Sequence, residues 1–410
     1  MTASDDRIVV VGAGECGARA VASLRDAGWA GYIDLIGDEP HHPYERPPLS
    51  KAALVSVAIV RPPAVADEAR FVALDVDFRP GVSGVAIRPD DLEIDLSDGN
   101  TIRYHRVILA TGARARVLPV PGGELAKTLR SWRDLEVLRP ALRPGVRVGV
   151  IGAGFIGLEI AAGAVAIGCK VTVVEMAHRV LARGVPATIA QRVEARHRAA
   201  GVELLLGTAL ERIERHAGGL RVVLGSNAAV ECDVVVGGVG AVPNVELGEK
   251  AGLAVDNGVV VDERLQTSEE RIFAAGDCCS FPHSLYDGRR VRLESWRNAL
   301  DQGDAAARNA LGANMPYTAV PWFWSDQYEL GLQVAGLPEL ATRTASRRRL
   351  NHVLIEFGLD DGGRLVSAAG IGPGTAVARE IRVAEILIGR RAHPDADRLA
   401  DAGVNLKSLL

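Results

Sequence analysis

The sequence predicts an α/β protein with two similar parallel-sheet domains and a C-terminal α+β domain, and three observations support this. The signature GAGECG at residues 12 to 17 recurs as GAGFIG at residues 152 to 157. Each copy lies between a β-rich run and a helical run, and a second strand then ends in an acid. From about residue 319 the pattern changes to antiparallel strands around Gly-rich turns, followed by a helix. The two copies therefore predict two Rossmann-like dinucleotide-binding domains.

Composition and charge are typical of a globular protein with more than one core. The chain has 410 residues, 48% of them hydrophobic, and its net charge of −4 favours neither nucleic acid nor an anionic membrane as a partner. Its N-terminal residues are acidic where a secretory signal would be basic, and no apolar run is long enough to span a membrane. The five cysteines form no disulfide framework and no paired CxxC signature, so the expected setting is a reducing cytoplasm.

The first copy has the order strand, glycine turn, helix and strand. Residues 7 to 11 form the first strand, residues 15 to 27 the helix, and residues 32 to 39 a second strand ending in two acids. Gly12 and Gly14 allow a tight turn in which backbone N–H groups approach a pyrophosphate at the positive end of the helix.

The second copy repeats this order with strands at residues 147 to 151 and 170 to 175 and a helix at residues 155 to 167. The last strand ends on Glu175, and the interval from the last glycine to the acid is about 20 residues in both copies, as the dinucleotide fingerprint requires. A carboxylate there accepts hydrogen bonds from ribose hydroxyls and repels a 2′-phosphate, so Glu175 favours NADH over NADPH. Arg179, four residues further on, could weaken this preference. A dead or fortuitous second copy is the alternative interpretation.

Nine collinear stretches cover nearly the whole chain. They are GAGECG (12–17), PYERPPLSK (43–51), LATGAR (109–114), GAGFIGLE (152–159), VVE (173–175), GVGAVPN (238–244), FAAGDC (273–278), ESWRNALDQG (294–303) and PWFWSDQY (321–328). Together they resemble the FAD-dependent ferredoxin reductases that serve Rieske-type aromatic-ring dioxygenases and some bacterial P450s. Those flavoproteins have a glutathione-reductase-like fold with two dinucleotide-binding domains.

The resemblance implies that the first signature holds FAD and the second holds NADH. The FAD-binding domain would be discontinuous, at residues 1–110 and 240–318, with the NADH-binding domain at 111–239 inserted between its parts. Residues 319–410 would form the C-terminal domain, which in this family closes over the flavin.

The resemblance also implies roles for individual residues. The implied FAD contacts are Gly12, Gly14 and Cys16 at the pyrophosphate, Asp38 at the adenosine ribose, Asp277 at the ribityl chain, Trp296 beside the isoalloxazine ring, Trp324 as part of the flavin wall, and Arg46 and Arg130. The implied NADH contacts are Gly152, Gly154, Gly157 and Glu175. No metal site is expected, and His41 and His42 are interpreted as a loop pair.

Lys51 and Glu159 are the expected catalytic residues. The resemblance places Lys51 close to the flavin ring and pairs it with Glu159 near the nicotinamide, where a cation would stabilise the negative charge of reduced flavin. The alternatives are a surface lysine after the Pro-Pro turn and a glutamate on a solvent-facing side of its helix.

Two positions depart from the family pattern. Glu15 stands where a small or apolar residue is common, and Trp296 with Arg297 stands where many relatives have a smaller residue and proline. An acid beside a pyrophosphate is mildly unfavourable unless its side chain points away from the ligand.

Two further clusters have a structural and a functional interpretation. Cys278 and Cys279 are expected to pack in the core. Disulfide reductases of the same fold carry their active-site cysteines shortly after the first βαβ unit, and the stretch EPHHPYERPPLSK at residues 39 to 51 contains none, so dithiol chemistry is disfavoured. The run of arginines at residues 347 to 349 is expected in a solvated turn, with a docking patch for an acidic electron carrier as the alternative.

The implied activity is hydride transfer from NADH to FAD, followed by delivery of single electrons to a separate protein. The chain has no iron–sulfur cysteine set, so a separate one-electron partner is implied. In the family that the chain resembles, this partner is a [2Fe–2S] ferredoxin, of the Rieske type or of the plant or adrenodoxin type, which feeds an oxygenase. A rubredoxin reductase, an NADH oxidase or another NADH-dependent flavoprotein oxidoreductase of the same fold remains an alternative. The other alternative is a protein like apoptosis-inducing factor, which binds FAD and NADH but has a mainly binding role.

Overall fold

A computed structural model of the protein describes residues 6–58, 60–225 and 228–410. The strands are β1 Arg7–Val11, β2 Tyr32–Gly37, β3 Asp77–Pro80, β4 Gly84–Arg88, β5 Glu93–Leu96, β6 Thr101–Arg103, β7 Arg106–Leu109, β8 Ala113–Ala115, β9 Arg147–Ile151, β10 Lys170–Val174, β11 Glu203–Leu205, β12 Leu210–His216, β13 Gly219–Leu224, β14 Ala229–Cys232, β15 Val234–Gly237, β16 Ala241–Pro243, β17 Val259–Val260, β18 Ile272–Ala274, β19 Cys279–His283, β20 Arg289–Val291, β21 Trp322–Gln327, β22 Leu330–Gly336, β23 Arg343–Arg349, β24 Val353–Leu359 and β25 Leu365–Pro373.

The α-helices are α1 Glu15–Asp26, α2 Ala52–Val55, α3 Glu68–Ala73, α4 Trp132–Leu138, α5 Phe155–Ile167, α6 Ala187–Ala199, α7 Glu246–Lys250, α8 Trp296–Ala310, α9 Ala378–Gly389 and α10 Ala396–Ala400. The chain divides into two compact units. The first contains the residues up to Glu45, Pro62–Arg114 and Val242–Ala319, and the second contains Arg46–Arg61, Ala115–Ala241 and Val320–Leu410. None of the helices in the described part of the chain is both long and apolar enough to cross a membrane.

The first unit is built on a parallel sheet with strand order β18-β7-β1-β2-β3. Residues such as Ile8, Val9 and Val10 in β1 have no exposed surface, as expected for a parallel sheet that is covered on both faces. Because β1 and β2 lie on one side of the point where the strand order reverses and β7 lies on the other, the carboxyl end of β1 is the edge at which such sheets bind ligands.

The second unit contains the repeat of this plan. Its parallel sheet has the order β11-β10-β9-β15, and an antiparallel sheet β12-β13-β14 follows along the chain. The C-terminal part is an antiparallel sheet of order β21-β22-β25-β24-β23, with α9 packed on β22 and β25. These sheets confirm the predicted fold class.

Element boundaries agree closely with the sequence patterns at both glycine turns. The first helix ends at Asp26 rather than residue 27, and the second spans Phe155–Ile167 as predicted. The strand predicted to run through residue 39 instead ends at Gly37, so its two acids lie beyond the sheet.

The arginine run at residues 347 to 349 is not a solvated turn, and that expectation is wrong. It belongs to β23, which pairs antiparallel with β24. Arg347 is only 2% exposed, and its guanidinium donates to the backbone carbonyls of Leu399, Ala402 and Val404. Its buried side chain therefore ties down the C-terminal segment and is not available to a docking partner.

Replacement of Arg347 by Met should lower the free energy of unfolding by about 2–4 kcal/mol, because several charge-assisted hydrogen bonds to carbonyls disappear together. The matched control is Arg348→Met, since Arg348 is exposed on the same strand and should change stability by less than about 0.5 kcal/mol. Urea denaturation followed by circular dichroism measures both. Equal midpoints for the two variants would contradict the structural role of Arg347.

Candidate functional site

The first glycine turn joins β1 to α1 and requires glycine at two of its positions. Gly12 has a φ of +117°, and a Cβ there would lie 2.1 Å from the carbonyl oxygen of Ala110. A Cβ on Gly17 would lie 1.9 Å from the carbonyl oxygen of Gly12, so only glycine lets the helix approach the turn. Gly14 faces open space and is followed by the uncapped first turn of α1, where the N–H groups have no intrahelical acceptors.

The acid after β2 lies one residue later than its counterpart in the second copy. β1 pairs with β2 and β9 pairs with β10 in the same register, which makes Gly37 the equivalent of Glu175. A Cβ on Gly37 would lie 2.6 Å from the Cβ of Ala13, so a side chain at this position would clash. Asp38 follows and is exposed, which leaves its carboxylate accessible to a ligand hydroxyl.

Asp277 lies at the same edge of the first-unit sheet as the glycine turn. It is in the 3₁₀ turn Gly276–Cys278 that follows β18, and it is 9% exposed. The preceding Gly276 packs against Cys16, since a Cβ there would lie 3.2 Å from the Cys16 Cβ. Cys16 is buried, and burial raises the pKa of its thiol well above the usual range, so it is a neutral packing group at the helix start.

The two departures from the family pattern contact each other. Glu15 forms a side-chain hydrogen bond with Trp296, the first residue of α8. Burial raises the pKa of Glu15, the hydrogen bond to Trp296 opposes that shift, and the nearby Glu45 carboxylate adds to it. The Glu15 carboxyl group is thus engaged by α8, which accounts for an acid in the glycine turn.

The second glycine turn repeats the geometry of the first. Gly152 has a φ of +102°, and a Cβ on it would lie 2.5 Å from the carbonyl oxygen of Gly238. A Cβ on Gly157 would lie 2.1 Å from the Gly152 oxygen, whereas a Cβ on Gly154 would meet nothing closer than 3.8 Å. As in the first copy, the middle glycine leaves room for a ligand beside the helix N-terminus.

Glu175 is held against the second turn. One carboxylate oxygen accepts the backbone N–H of Ala153 at 2.7 Å, and the other accepts that of Ala177 at 2.8 Å. Arg179, the residue that could have weakened a preference for NADH, donates to the carbonyls of Leu181 at 2.9 Å and Ala182 at 2.8 Å. Its guanidinium is therefore engaged by its own loop.

Lys51 and Glu159 form an ion pair with a Nζ–Oε1 distance of 2.8 Å. Glu159 is 4% exposed on the apolar helix α5, so the solvent-facing alternative is wrong. Ser325 donates to Oε1 at 2.6 Å, and Ser50 donates to Oε2. Three donors therefore compensate for the burial of this carboxylate, which would otherwise be strongly unfavourable.

A close approach between helices places Lys51 beside α5. Residues Pro47–Ser50 form a 3₁₀ turn that leads through Lys51 into α2. A Cβ on Gly163 of α5 would lie 2.7 Å from a methyl group of Leu54, so α2 packs where α5 has no side chain.

Trp324, Arg46 and Arg130 also lie in the second unit. The Lys51 Nζ is 5.9 Å from the centroid of the Trp324 ring, which stacks on Trp322 at 5.4 Å. The Arg46 guanidinium donates to the carbonyl of Arg130 at 2.8 Å, which ties the segment before Lys51 to the segment that leads into α4.

The predicted site residues thus divide between the two units. The first unit holds Gly12, Gly14, Cys16, Asp38, Asp277 and Trp296, and the second holds Arg46, Lys51, Arg130, Gly152, Gly154, Gly157, Glu159, Glu175 and Trp324. Both glycine turns fit a dinucleotide, because each offers open space at its middle glycine beside an uncapped helix N-terminus.

Among the residues that the structure describes, no group of three or more His, Cys, Asp or Glu side chains is placed to hold a metal ion. His42 instead lies 3.2 Å from a carboxylate oxygen of Glu68 and packs against Phe78. Cys278 and Cys279 are fully buried, in agreement with a packing role.

Several residues of the site are absent from the set predicted from the sequence. Gly17 is the last glycine of the first signature, so the pattern itself contains that signal. Ser50 and Ser325 lie in stretches that carry the resemblance, but hydroxyl donors to Glu159 become visible only when distant segments are folded together.

Comparisons with known proteins show the family of the chain. The family model "Pyridine nucleotide-disulphide oxidoreductase" matches residues 6–303, and "Reductase C-terminal" matches residues 322–410. The chain is 40% identical over 410 residues to the anthranilate 1,2-dioxygenase system ferredoxin–NAD(+) reductase component of Burkholderia cepacia, covering 99% of this chain and 100% of that protein.

Two solved structures resemble the chain over almost its whole length. A ferredoxin reductase from Rhodopseudomonas palustris has a TM-score of 0.92 and 36% identity, covering 98% of this chain and 99% of that chain. The reductase in the covalent putidaredoxin reductase–putidaredoxin complex has a TM-score of 0.92 and 36% identity, covering 99% of this chain and 98% of that chain.

Alanine substitution at Gly14 or at Gly154 should show which glycine turn binds which of the two ligands. Neither Gly14 nor Gly154 has a positive φ or a close neighbour, so Ala at either position should cost the fold only about 1 kcal/mol, since alanine is a poorer helix N-cap than glycine. Gly14→Ala should lose bound flavin, and Gly154→Ala should retain flavin but bind NADH about tenfold or more weakly.

The ratio of flavin absorbance to protein concentration measures flavin content, and titration with NADH measures its affinity. Each variant is the control for the other. Loss of flavin from Gly154→Ala, or retention of flavin by Gly14→Ala, would contradict the assignment of the two turns.

Proposed function

The chain belongs to the pyridine nucleotide-disulphide oxidoreductase family as an FAD-dependent ferredoxin–NAD(+) reductase, and on this premise we propose that it delivers electrons from NADH to a separate [2Fe–2S] ferredoxin that serves an oxygenase. Bound FAD supplies the chemistry that the side chains lack, because it accepts a hydride and releases electrons singly. One NADH reduces two ferredoxin molecules and yields NAD(+) and one proton.

The observation that carries this proposal is the ion pair between the partly exposed Lys51 and the buried Glu159. Glu159 accepts from Ser50, Ser325 and Lys51, which fixes its carboxylate and holds the ammonium group in place. A preorganised cation can stabilise negative charge that develops on a cofactor without further reorganisation. Lys51 is accordingly the candidate charge-stabilising residue at the flavin ring, and Glu159 is the residue that positions and neutralises it.

The cofactor assignments follow the sequence analysis and remain part of the proposal. Residues 1–110 and 240–318 bind FAD, residues 111–239 bind NADH, and residues 319–410 form the C-terminal domain. The proposed contact residues for each cofactor are those predicted from the sequence. Those for FAD are Gly12, Gly14, Cys16, Asp38, Arg46, Arg130, Asp277, Trp296 and Trp324, and those for NADH are Gly152, Gly154, Gly157 and Glu175.

The proposed partner carries its own iron–sulfur cluster. All five cysteines are buried; Cys16, Cys278 and Cys279 lie near one another in the first unit, and Cys169 and Cys232 belong to the second, so they do not form the Cys₄ ligand set of such a cluster. One relative belongs to a dioxygenase system, and another protein of similar structure was captured with putidaredoxin. Free cysteines throughout are compatible with the proposed cytoplasmic location.

The test of the proposed function is anaerobic bleaching of the bound flavin by NADH, followed by addition of a [2Fe–2S] ferredoxin with cytochrome c as the final acceptor. We expect fast bleaching and ferredoxin-dependent reduction of cytochrome c. Fast bleaching without any effect of ferredoxin would redirect the proposal to rubredoxin or another acceptor. A flavin that NADH barely reduces would overturn the electron-transfer proposal.

Lys51→Met should slow flavin bleaching by NADH at least about tenfold, because roughly 1.4 kcal/mol or more of charge stabilisation is lost. Stopped-flow absorbance provides the measurement, and the flavin content should match that of the wild type. The control is Lys407→Met, since Lys407 is an exposed lysine near the C-terminus. Equal bleaching rates for Lys51→Met and Lys407→Met would rule out the proposed role of Lys51.

Glu175→Gln should lower the ratio of kcat/KM for NADH over NADPH by about tenfold or more, because the charge that repels a 2′-phosphate is removed. The glutamine oxygen can still accept one of the two backbone N–H groups, so the turn should persist. Steady-state kinetics with both nucleotides measure the ratio. Glu203→Gln, an exposed acid in the neighbouring strand β11, should leave it unchanged, and an unchanged ratio in Glu175→Gln as well would contradict the proposal.

A further inference from the structure

A second buried titratable group lies close to the Lys51–Glu159 pair. His197 on α6 has no exposed surface, and its Nε2 lies 2.8 Å from the side-chain oxygen of Gln327, the last residue of β21. Ser325 lies two residues earlier on the same strand and donates to Glu159. The proposed function assigns no role to His197 or Gln327.

The chemistry of each contact sets the direction of the hydrogen bonds. Ser325 donates its proton to the Glu159 carboxylate, so the Ser325 oxygen must accept from Gln327, whose Nε2 lies 3.0 Å away. The oxygen of Gln327 then faces His197, and the His197 Nε2 must carry the proton between them. Its Nδ1 is left to accept from the hydroxyl of Tyr328 at 3.2 Å.

The result is a one-way series of donors that ends on Glu159. Burial lowers the pKa of His197, although the hydrogen bond to Gln327 opposes this, so the ring is neutral and can donate at Nε2 while accepting at Nδ1. We define the relay as His197, Gln327 and Ser325. Without the His197 N–H, the amide of Gln327 could rotate, present its oxygen to Ser325 and draw the hydroxyl proton away from Glu159.

Tyr328, which contacts the His197 end of the relay, is itself constrained by its backbone conformation and by neighbouring side chains. Tyr328 has a φ of +56°, a left-handed conformation that is uncommon for a bulky residue. The Arg196 guanidinium lies 4.0 Å from the centre of the Tyr328 ring and pairs with Glu329 at 2.8 Å. The backbone conformation of Tyr328 and its contact with Arg196 together keep the Tyr328 hydroxyl beside the His197 Nδ1.

We propose that His197 and Gln327 are positioning residues for the reductase reaction, because they orient the Ser325 hydroxyl toward Glu159 and thereby hold the Lys51 ammonium group in place. This inference rests on the proposed role of Lys51. Neither residue is assigned a contact with a cofactor, and their effect passes through the one carboxylate oxygen that accepts from both Ser325 and Lys51.

The test compares Gln327→Leu and Ser325→Ala with wild type and with Lys51→Met. The readouts are the midpoint potential of the bound flavin, by equilibration with a reference dye, and the rate of anaerobic bleaching by NADH. Gln191→Leu on the exposed side of α6 is the matched control and should behave as wild type. Ser325→Ala removes a single oxygen, so it keeps the test available if Gln327→Leu folds poorly.

We expect both relay variants to lower the midpoint potential in the same direction as Lys51→Met, and to bleach about tenfold more slowly, the equivalent of one lost hydrogen bond to a charged group. In a Lys51→Met background, neither substitution should change the potential further, because the affected charge is already absent. A role in packing alone would lower thermal stability without this dependence on Lys51.

Two outcomes would overturn the inference alone. The first is that Gln327→Leu and Ser325→Ala fold but keep the midpoint potential and bleaching rate of the wild type. The second is that each substitution has an effect of the same size in the wild type and in the Lys51→Met background. If Lys51→Met itself has wild-type potential and kinetics, the proposed role of Lys51 fails, and the inference fails with it.

Discussion

The buried carboxylate of Glu159 is the constraint on which the second unit depends. A carboxylate that is 4% exposed on an apolar helix is stable only when donors reach it from other segments. One donor comes from the turn before α2, another from Lys51 and a third from strand β21. Ser50 and Lys51 are adjacent, so satisfying this one group brings together α5, the segment around residues 50 and 51, and strand β21, which are far apart in the chain.

The two glycine turns show how one backbone solution is adapted to different surroundings. In both copies the first glycine adopts a positive φ against a neighbouring carbonyl, and the last glycine lets the helix approach the turn. They differ after the second strand, where Glu175 accepts two backbone N–H groups but Gly37 leaves no room for any side chain. The duplicated scaffold is thus constant in its turns and variable at the acid that follows.

The fold could be predicted from the sequence because its signals are local. Glycine spacing, strand hydrophobicity and helix length all act within about 30 residues, which is the span of one βαβ unit. The Lys51–Glu159 pair came from a family resemblance and not from periodicity, since no local pattern relates residues so far apart. Ser50, Ser325 and His197 were missed for the same reason, because hydroxyl and imidazole contacts depend on tertiary structure.

The prediction for Arg347 was wrong for a related reason. A run of charged residues usually marks a solvated surface, but in a β-strand alternate side chains face opposite sides of the sheet. Arg347 consequently points inward, where backbone carbonyls of the C-terminal segment accept from it, whereas the next residue, Arg348, lies on the opposite face and is exposed. Composition alone does not distinguish the two faces.

The state of the cysteines has a practical consequence. All five are buried, and burial raises the pKa of each thiol, to about 11 in the case of Cys232. Thiolates are therefore scarce at neutral pH, and alkylating reagents have little access to them. A single cysteine introduced on the surface would be the dominant reactive thiol, so a spin label, a fluorophore or an electrode linker could be attached at one chosen site without first removing the native cysteines.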